Sequence, residues 1–416
     1  MKIKSLEALQ IINSRGIPTI KTFVVLENGI QSEASVPQGA SVGKLEVKEL
    51  RDNEKNQFLG NSVGKSVHLI ENGINDALKG QEIENQAKID KILIDLDGTK
   101  DKSKIGANTL LSVSLACARA AAKSKNIELF QYLGELTNNK KFLLPIPLFN
   151  LINGGKHAGN NLDIQEFLII PNKTFSFFES VRAGVEIYLK LKQILEEKQL
   201  NTNLGDEGGF APELENNKEA LNLLKEAREI TGNKEKVVFG LDVAASSFYD
   251  ENLKQYVFEN TALTSDQFIS YLKEIAQEFD IKSLEDPLSD TDLTNWSKVK
   301  KEIPEIQIVG DDLFVTNEKL VKERSNLATA IIVKPNQIGT LSETLTTIAA
   351  ARANNLKLII SHRSGETEDS FIADLAVGVG AEMIKSGSLA RSERLVKYNR
   401  LLEIERFFNL EYSQNL

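Results

Sequence analysis

The chain has 416 residues, 41% of them hydrophobic and 26% charged, with a formal net charge of -9; that is enough for two domains, or for one large barrel with an addition. The acidic balance argues against general binding to nucleic acid or to an anionic membrane, but leaves room for a local basic pocket that takes a small anion. A single cysteine, Cys117, excludes an internal disulfide and fits a reducing compartment, and no apolar run reaches membrane-spanning length.

The opening "MKIKSLEALQIINSRG" has no secretory apolar core, so a cytoplasmic protein is expected. The stretch "TIKTFVVLENGIQSEASV" alternates apolar and polar residues around Asn28-Gly29, which predicts a hairpin. From about residue 58 the pattern turns helical, and "ANTLLSVSLACARAAAKSK" reads as a small-residue helix with Cys117 as a buried structural thiol. Strands followed by helices predict an α+β domain over residues 1–135. The segment around Pro145 and Pro147 marks a boundary, with a second domain over residues 140–416.

Beyond that boundary the texture changes. The apolar runs "KVVFGLD", "IKSLEDP", "IQIVGDD", "AIIVKPN", "LKLIISHR" and "EMIKSGS" are each followed by a polar turn and a helix-like stretch. Strand and helix in alternation predict parallel strands with crossovers. No Gly-x-Gly-x-x-Gly fingerprint opens any of these units, which removes support for a dinucleotide-binding sheet. The runs end in Asp242, Glu285, Asp311, Lys334, His362 and Lys385, mostly spaced by one βα unit. In a β/α barrel these carboxyl ends converge on one mouth, where active sites lie.

Asp242, Glu285 and Asp311 would repel one another there unless a cation sat among them. Hard oxygen ligands with no His or Cys cluster point to Mg²⁺; taken singly, each also reads as a helix cap or an ion-pair partner. Lys334 and Lys385 share the mouth. A neighbouring cation lowers a lysine's pKa, so one can serve as a base while the other stays charged and stabilises a developing anion. "SHRSGETED" adds Arg363 and Ser364, donors suited to phosphate. "NLGDEGGF" sets Glu207 among glycines that let backbone approach a ligand closely. "NGGKHAGNNLDIQEF" gives a mobile loop with His157, then Gln165 and Glu166 on the next strand. A base, an acid and a metal together suit removal of the proton beside a carboxylate and stabilisation of the resulting enolate.

On "GDEGGFAP", "DVAAS", "EDPL", "GDDLFVTN", "KPNQIGTLSET", "SHRSGETED" and "ARSERLVKYNRLLEIE", the chain resembles the enolase family over essentially its whole length. The resemblance implies an α/β fold: a modified, TIM-like β/α barrel under an N-terminal α+β cap. It implies Mg²⁺-dependent, reversible dehydration of 2-phosphoglycerate to phosphoenolpyruvate, and a homodimer or octamer. Lys334 would take the C2 proton, and Glu207, helped by Glu166, would protonate the departing C3 hydroxyl. Asp242, Glu285 and Asp311 would hold the metal that binds the substrate carboxylate, with Lys385 contacting that carboxylate and Gln165 beside it. Arg363 and Ser364 would hold the phosphate, and His157 would close over it.

The chain departs from the family around its lids. "SVPQGASVGK" lacks the spacing and the Ser/Thr of a P-loop, since Leu45 follows Lys44. Gln38 stands where the family has a serine that ligates a second Mg²⁺, with Ser41 as the compensating candidate. Asn13, Ile17, Lys156 and Ser247 replace the family's Asp, Asn, small residue and Glu. Weaker binding of a second Mg²⁺, or altered lid closure, is therefore expected. The alternative is a paralogue with catalysis weakened by Gln38 and Lys156, acting as a binding or scaffold protein. A racemase or cycloisomerase of the same superfamily is the other rival, but Arg363, Ser364 and His157 favour a phosphorylated substrate.

Overall fold

A computed structural model describes residues 1–39, 43, 45–174, 176–414 and 416; Ser41 and Lys44 lie outside the described residues. The N-terminal region opens with an antiparallel sheet of β1 (Ile3–Ile12), β2 (Pro18–Leu26) and β3 (Gln31–Ser35), in that order. The expected hairpin is β2–β3, with Val25 opposite Gln31 and Gly29 at φ +87° in the turn. Helices α1 (Gln86–Asp97), α2 (Ala107–Ser124) and α3 (Leu129–Thr137) follow. Alanine and serine let α2 lie close against the sheet, where Thr22 Oγ1 donates to Ser112 Oγ at 2.8 Å. Cys117 is buried in α2 and burial pushes its thiol pKa up, so it is structural.

The rest of the chain forms a closed barrel. Its strands are β4 (Ile146–Asn153), β5 (Glu166–Ile170), β6 (Val238–Asp242), β7 (Ile281–Glu285), β8 (Gln307–Gly310), β9 (Ala330–Val333), β10 (Lys357–Ser361) and β11 (Met383–Lys385). The six expected runs are β6 to β11, parallel throughout. The segment taken as a boundary is itself a barrel strand, β4, buried along its whole length, with Pro147 in register with Ile384 of β11. Proline lacks an N–H and normally marks a strand's edge or start; here it lies near the start of β4. Strand β5 runs antiparallel to both β4 and β6, so the alternation of parallel strands starts only at β6.

Around the barrel lie α4 (Phe177–Glu197), α5 (Asn217–Ile230), α6 (Ser265–Glu278), α7 (Leu293–Glu302), α8 (Glu318–Arg324), α9 (Leu341–Ala353), α10 (Phe371–Gly378) and α11 (Ser392–Phe408). Local chemistry sets their starts. Thr264 and Gln267 form a reciprocal capping box on α6, and the side chains of Ser176, Asn216 and Thr340 cap α4, α5 and α9.

Partly buried polar contacts tie the N-terminal region to the barrel. Arg119 of α2 donates to both carboxylate oxygens of Asp369, at 2.8 and 2.6 Å, and Ser35 N adds a third bond at 2.9 Å. Asp90 of α1 accepts from Ser342 N and Ser342 Oγ at the start of α9. Among the described residues no helix is long and apolar enough to cross a membrane.

Candidate active site

Strands β6 to β11 deliver their last residues to one end of the barrel, and the N-terminal region lies over it. The cavity there is small, about 120 Å³, and lined among others by Glu166, Glu207, Asp242, Asp311, Lys334 and Lys385. A larger cleft of about 830 Å³ runs along Arg119, Asp369 and Arg400, away from these groups.

Lys385 is the hub. Only 2% exposed, its ammonium lies 3.0 Å from Asp242, 2.8 Å from Glu285 and 3.2 Å from Glu166. Burial alone would lower its pKa, but Asp242, Glu166 and Glu285 outweigh burial and hold it well above the usual range. The carboxylates show the converse. Burial and then Asp242 raise Glu285 to about 8, and burial with the neighbouring Glu207 raises Glu166. Gln165 Nε2 reaches Asp242 at 3.4 Å.

Across the cavity, Lys334 donates to Asp311, which also accepts from Gln337 Nε2 at 3.1 Å. A lowered lysine pKa was expected here, yet Lys334 is raised. Burial pulls it down, and the Asp311 carboxylate in contact with Nζ more than restores it. Asp311 is correspondingly held low, its burial outweighed by Lys334.

Glu207 accepts from Asn150 Nδ2 at 3.1 Å and faces His157 and His362. Arg394 Nη1 donates to His362 Nδ1 at 2.6 Å, so that nitrogen is the acceptor and the proton sits on Nε2, 3.4 Å from Glu207. Burial lowers His362 to about 4, which keeps the ring neutral. Burial pushes Glu207 up as well, but His157, the Nε2–H of His362 that faces the carboxylate, and the Arg394 guanidinium behind it together outweigh burial and hold Glu207 below the usual range. The two carboxyls are thus set apart, Glu166 high and Glu207 low. The fold itself requires the two glycines after Glu207. A Cβ on Gly209 would lie 2.7 Å from Asn153 Oδ1, and one on Gly208 would lie 2.8 Å from Ala390 O.

Arg363 lines the same cavity, donating to Glu46 at 2.8 Å and to Asn336 at 3.2 Å. Ser364 stands beside it, its carbonyl accepting from Arg394. His157 is 3.5 Å from Glu166 and 3.6 Å from Glu207. The barrel therefore brings together every residue singled out in its sequence. Sequence reasoning missed Asn150, Arg394 and a role for His362. Asp286 orders this end of the barrel, accepting from the backbone N–H groups of Asp311 and Asp312, both at 2.9 Å.

Among the described residues, two groups each have their ligand atoms within 4.8 Å of one another: His157, Glu166 and Glu207, and Asp286, Asp311 and Asp312. The expected set is arranged differently, with Asp242 and Glu285 gathered on Lys385 while Asp311 is drawn to Lys334. Among the described residues, Glu166, Asp242, Glu285 and Asp311 share the ammonium groups of Lys334 and Lys385, and Arg363 is matched by Glu46. That surplus of negative charge, on oxygen donors, fits a divalent cation of the hard class.

Comparison with known proteins agrees with this geometry. The family model "Enolase, N-terminal domain" matches residues 3–133, and "Enolase, C-terminal TIM barrel domain" matches residues 141–412. The enolase of Ehrlichia ruminantium (strain Gardel) is 49% identical over 414 residues, covering 98% of this chain and 97% of its own. The enolase of Helicobacter pylori (strain J99) is 47% identical over 411 residues, covering 97% of this chain and 96% of its own. On these matches, and with the barrel and its N-terminal region as described, the chain belongs to the enolase family and is a lyase, a phosphopyruvate hydratase.

Proposed function

We propose that the enzyme needs Mg²⁺ to interconvert 2-phosphoglycerate and phosphoenolpyruvate, with Lys334 as the base at C2 and the Glu207–Glu166 pair as the acid at the C3 hydroxyl. One observation carries the reading. Lys334 and the Glu207–Glu166 pair line the same small cavity, with Lys385 held among carboxylates in it. A substrate there meets a base on one side and an acid on the other, as removal of a proton and of a hydroxide from adjacent carbons requires.

Asp242, Glu285 and Asp311 would hold the metal. When bound, Mg²⁺ would polarise the substrate carboxylate, stabilise the enolate and take up the Asp311 charge that otherwise supports the Lys334 ammonium. Lys385 stays charged and faces the substrate carboxylate. Glu166, kept protonated by burial and by Glu207, relays its proton towards the leaving hydroxyl. Arg363 and Ser364 hold the phosphate, with His157 and Gln165 completing the wall. Gln38 offers the cavity little. Its Oε1 takes a bond from Asn13 Nδ2 at 3.4 Å, and its backbone exchanges both bonds with Gly365. That arrangement supports the reading that a second Mg²⁺ binds weakly.

The buried, reduced Cys117 supports a cytoplasmic setting. An assembly of identical copies, a homodimer or an octamer, is what the family resemblance implies. The test follows absorbance of phosphoenolpyruvate formed from 2-phosphoglycerate while Mg²⁺ is titrated. Turnover should require Mg²⁺ and fall at least about a thousandfold in Lys334→Ala. Folded enzyme without turnover at any Mg²⁺ concentration would favour the paralogue reading.

A further inference from the structure

We propose that Lys156 is an additional substrate-binding residue whose ammonium takes an oxygen of the substrate's phosphate; this rests on the function proposed above. Every other cation lining the cavity already has a carboxylate. Lys385 lies among Glu166, Asp242 and Glu285, Lys334 is on Asp311, and Arg363 is on Glu46. Lys156 also lines the cavity, yet no ion pair or side-chain hydrogen bond is formed by it among the described residues. Among the described residues, a dianionic group entering this mouth therefore meets lysine and arginine cations whose charge is already matched, apart from Lys156.

The backbone under Lys156 is pinned and its side chain is not. Gly155 N donates to Leu162 O at 2.8 Å, His157 N donates to Gly154 O at 3.0 Å, and Asp206 N donates to His157 O at 3.1 Å. The exposed side chain stands where three spaces adjoin, lining both the reaction cavity and neighbouring cavities of about 160 and 480 Å³. From that fixed Cα, next to His157, a four-carbon stem can swing its ammonium inward when an anion arrives.

The test compares native enzyme with Lys156→Ala and Lys156→Arg at fixed Mg²⁺, by kinetics with 2-phosphoglycerate and by calorimetric titration of 2-phosphoglycerate. Loss of one charge-assisted contact at an accessible position predicts about a tenfold rise in both KM and Kd for Lys156→Ala, with kcat changed less than about threefold. Lys156→Arg should restore both to within about threefold of native. Values of KM and Kd within about twofold of native in Lys156→Ala, or a loss confined to kcat, would overturn the assignment. Native enzyme with no turnover would instead overturn the proposed function, and the calorimetric titration would still decide the role of Lys156.

Discussion

The guanidinium of Arg394 donates to His362 Nδ1 and to the carbonyls of Arg363, Ser364 and Asp206. It is fully buried, and through these bonds it sets the tautomer of His362 and the positions of both proposed phosphate donors. Arg394→Gln cannot reproduce that fork of donors and leaves buried acceptors unmatched. We expect a loss of about 3 kcal/mol in stability and a fall of about tenfold or more in kcat/KM. Urea denaturation and steady-state kinetics check both, and a variant with native stability would show that water or neighbouring donors replace the guanidinium. Arg394 lay inside a quoted motif but carried no legible role. Its acceptors sit some thirty residues or more away in sequence, so only the folded chain shows what it does. Lys334 and Lys385 were legible for the opposite reason. An ionisable residue ending an apolar run contradicts local burial, and that contradiction is visible in one dimension.

At the scale of elements, the parallel units from β6 onward could be read because each apolar run of a few residues is followed by a polar turn and a helix. Strand β4 and the direction of β5 could not. Two prolines, Pro145 before β4 and Pro147 within it, hid the strand at the start of the second domain, and the antiparallel β5 breaks the rhythm on which the parallel reading depended. The attachment of the N-terminal region is likewise tertiary, and it makes a prediction. Asp369 is held below the ordinary carboxylate range because Arg119 outweighs its burial. A depressed folded pKa contributes stability that is present above the unfolded value, about 3.9, and lost as pH falls through the lower folded value. Asp369→Asn should therefore cost about 3 kcal/mol at pH 7, where it strands a mostly buried guanidinium. The gap between variant and native should narrow as the pH drops below about 4. Denaturant titrations at both pH values test this. A gap that does not depend on pH would mean that shape, and not charge, holds this contact.

Over the whole molecule, the same crowding of carboxylates that makes the barrel mouth reactive should make it unstable without metal. Glu166, Asp242 and Glu285 share the single ammonium of Lys385 in a buried space. Removing one of them leaves Lys385 with two partners while relieving repulsion, so the usual penalty for breaking a buried pair does not apply. Glu285→Gln is therefore expected to melt about a degree or more above the native protein when both are stripped of metal, a gain in stability made by damaging a functional site. Magnesium should reverse the order. A ligand at a hundred times its Kd adds about 2.7 kcal/mol, which for a chain of 416 residues amounts to about 3 °C. The native protein should show that rise and Glu285→Gln should show little of it, as read by calorimetric melting with chelator and with Mg²⁺. If Glu285→Gln melts lower than native in chelator, Lys385 depends on all of its carboxylates, and their arrangement is a structural network before it is a metal site. If both proteins gain equally from Mg²⁺, the ion binds without Glu285, and the neighbouring group of Asp286, Asp311 and Asp312 becomes the set of ligands to mutate next.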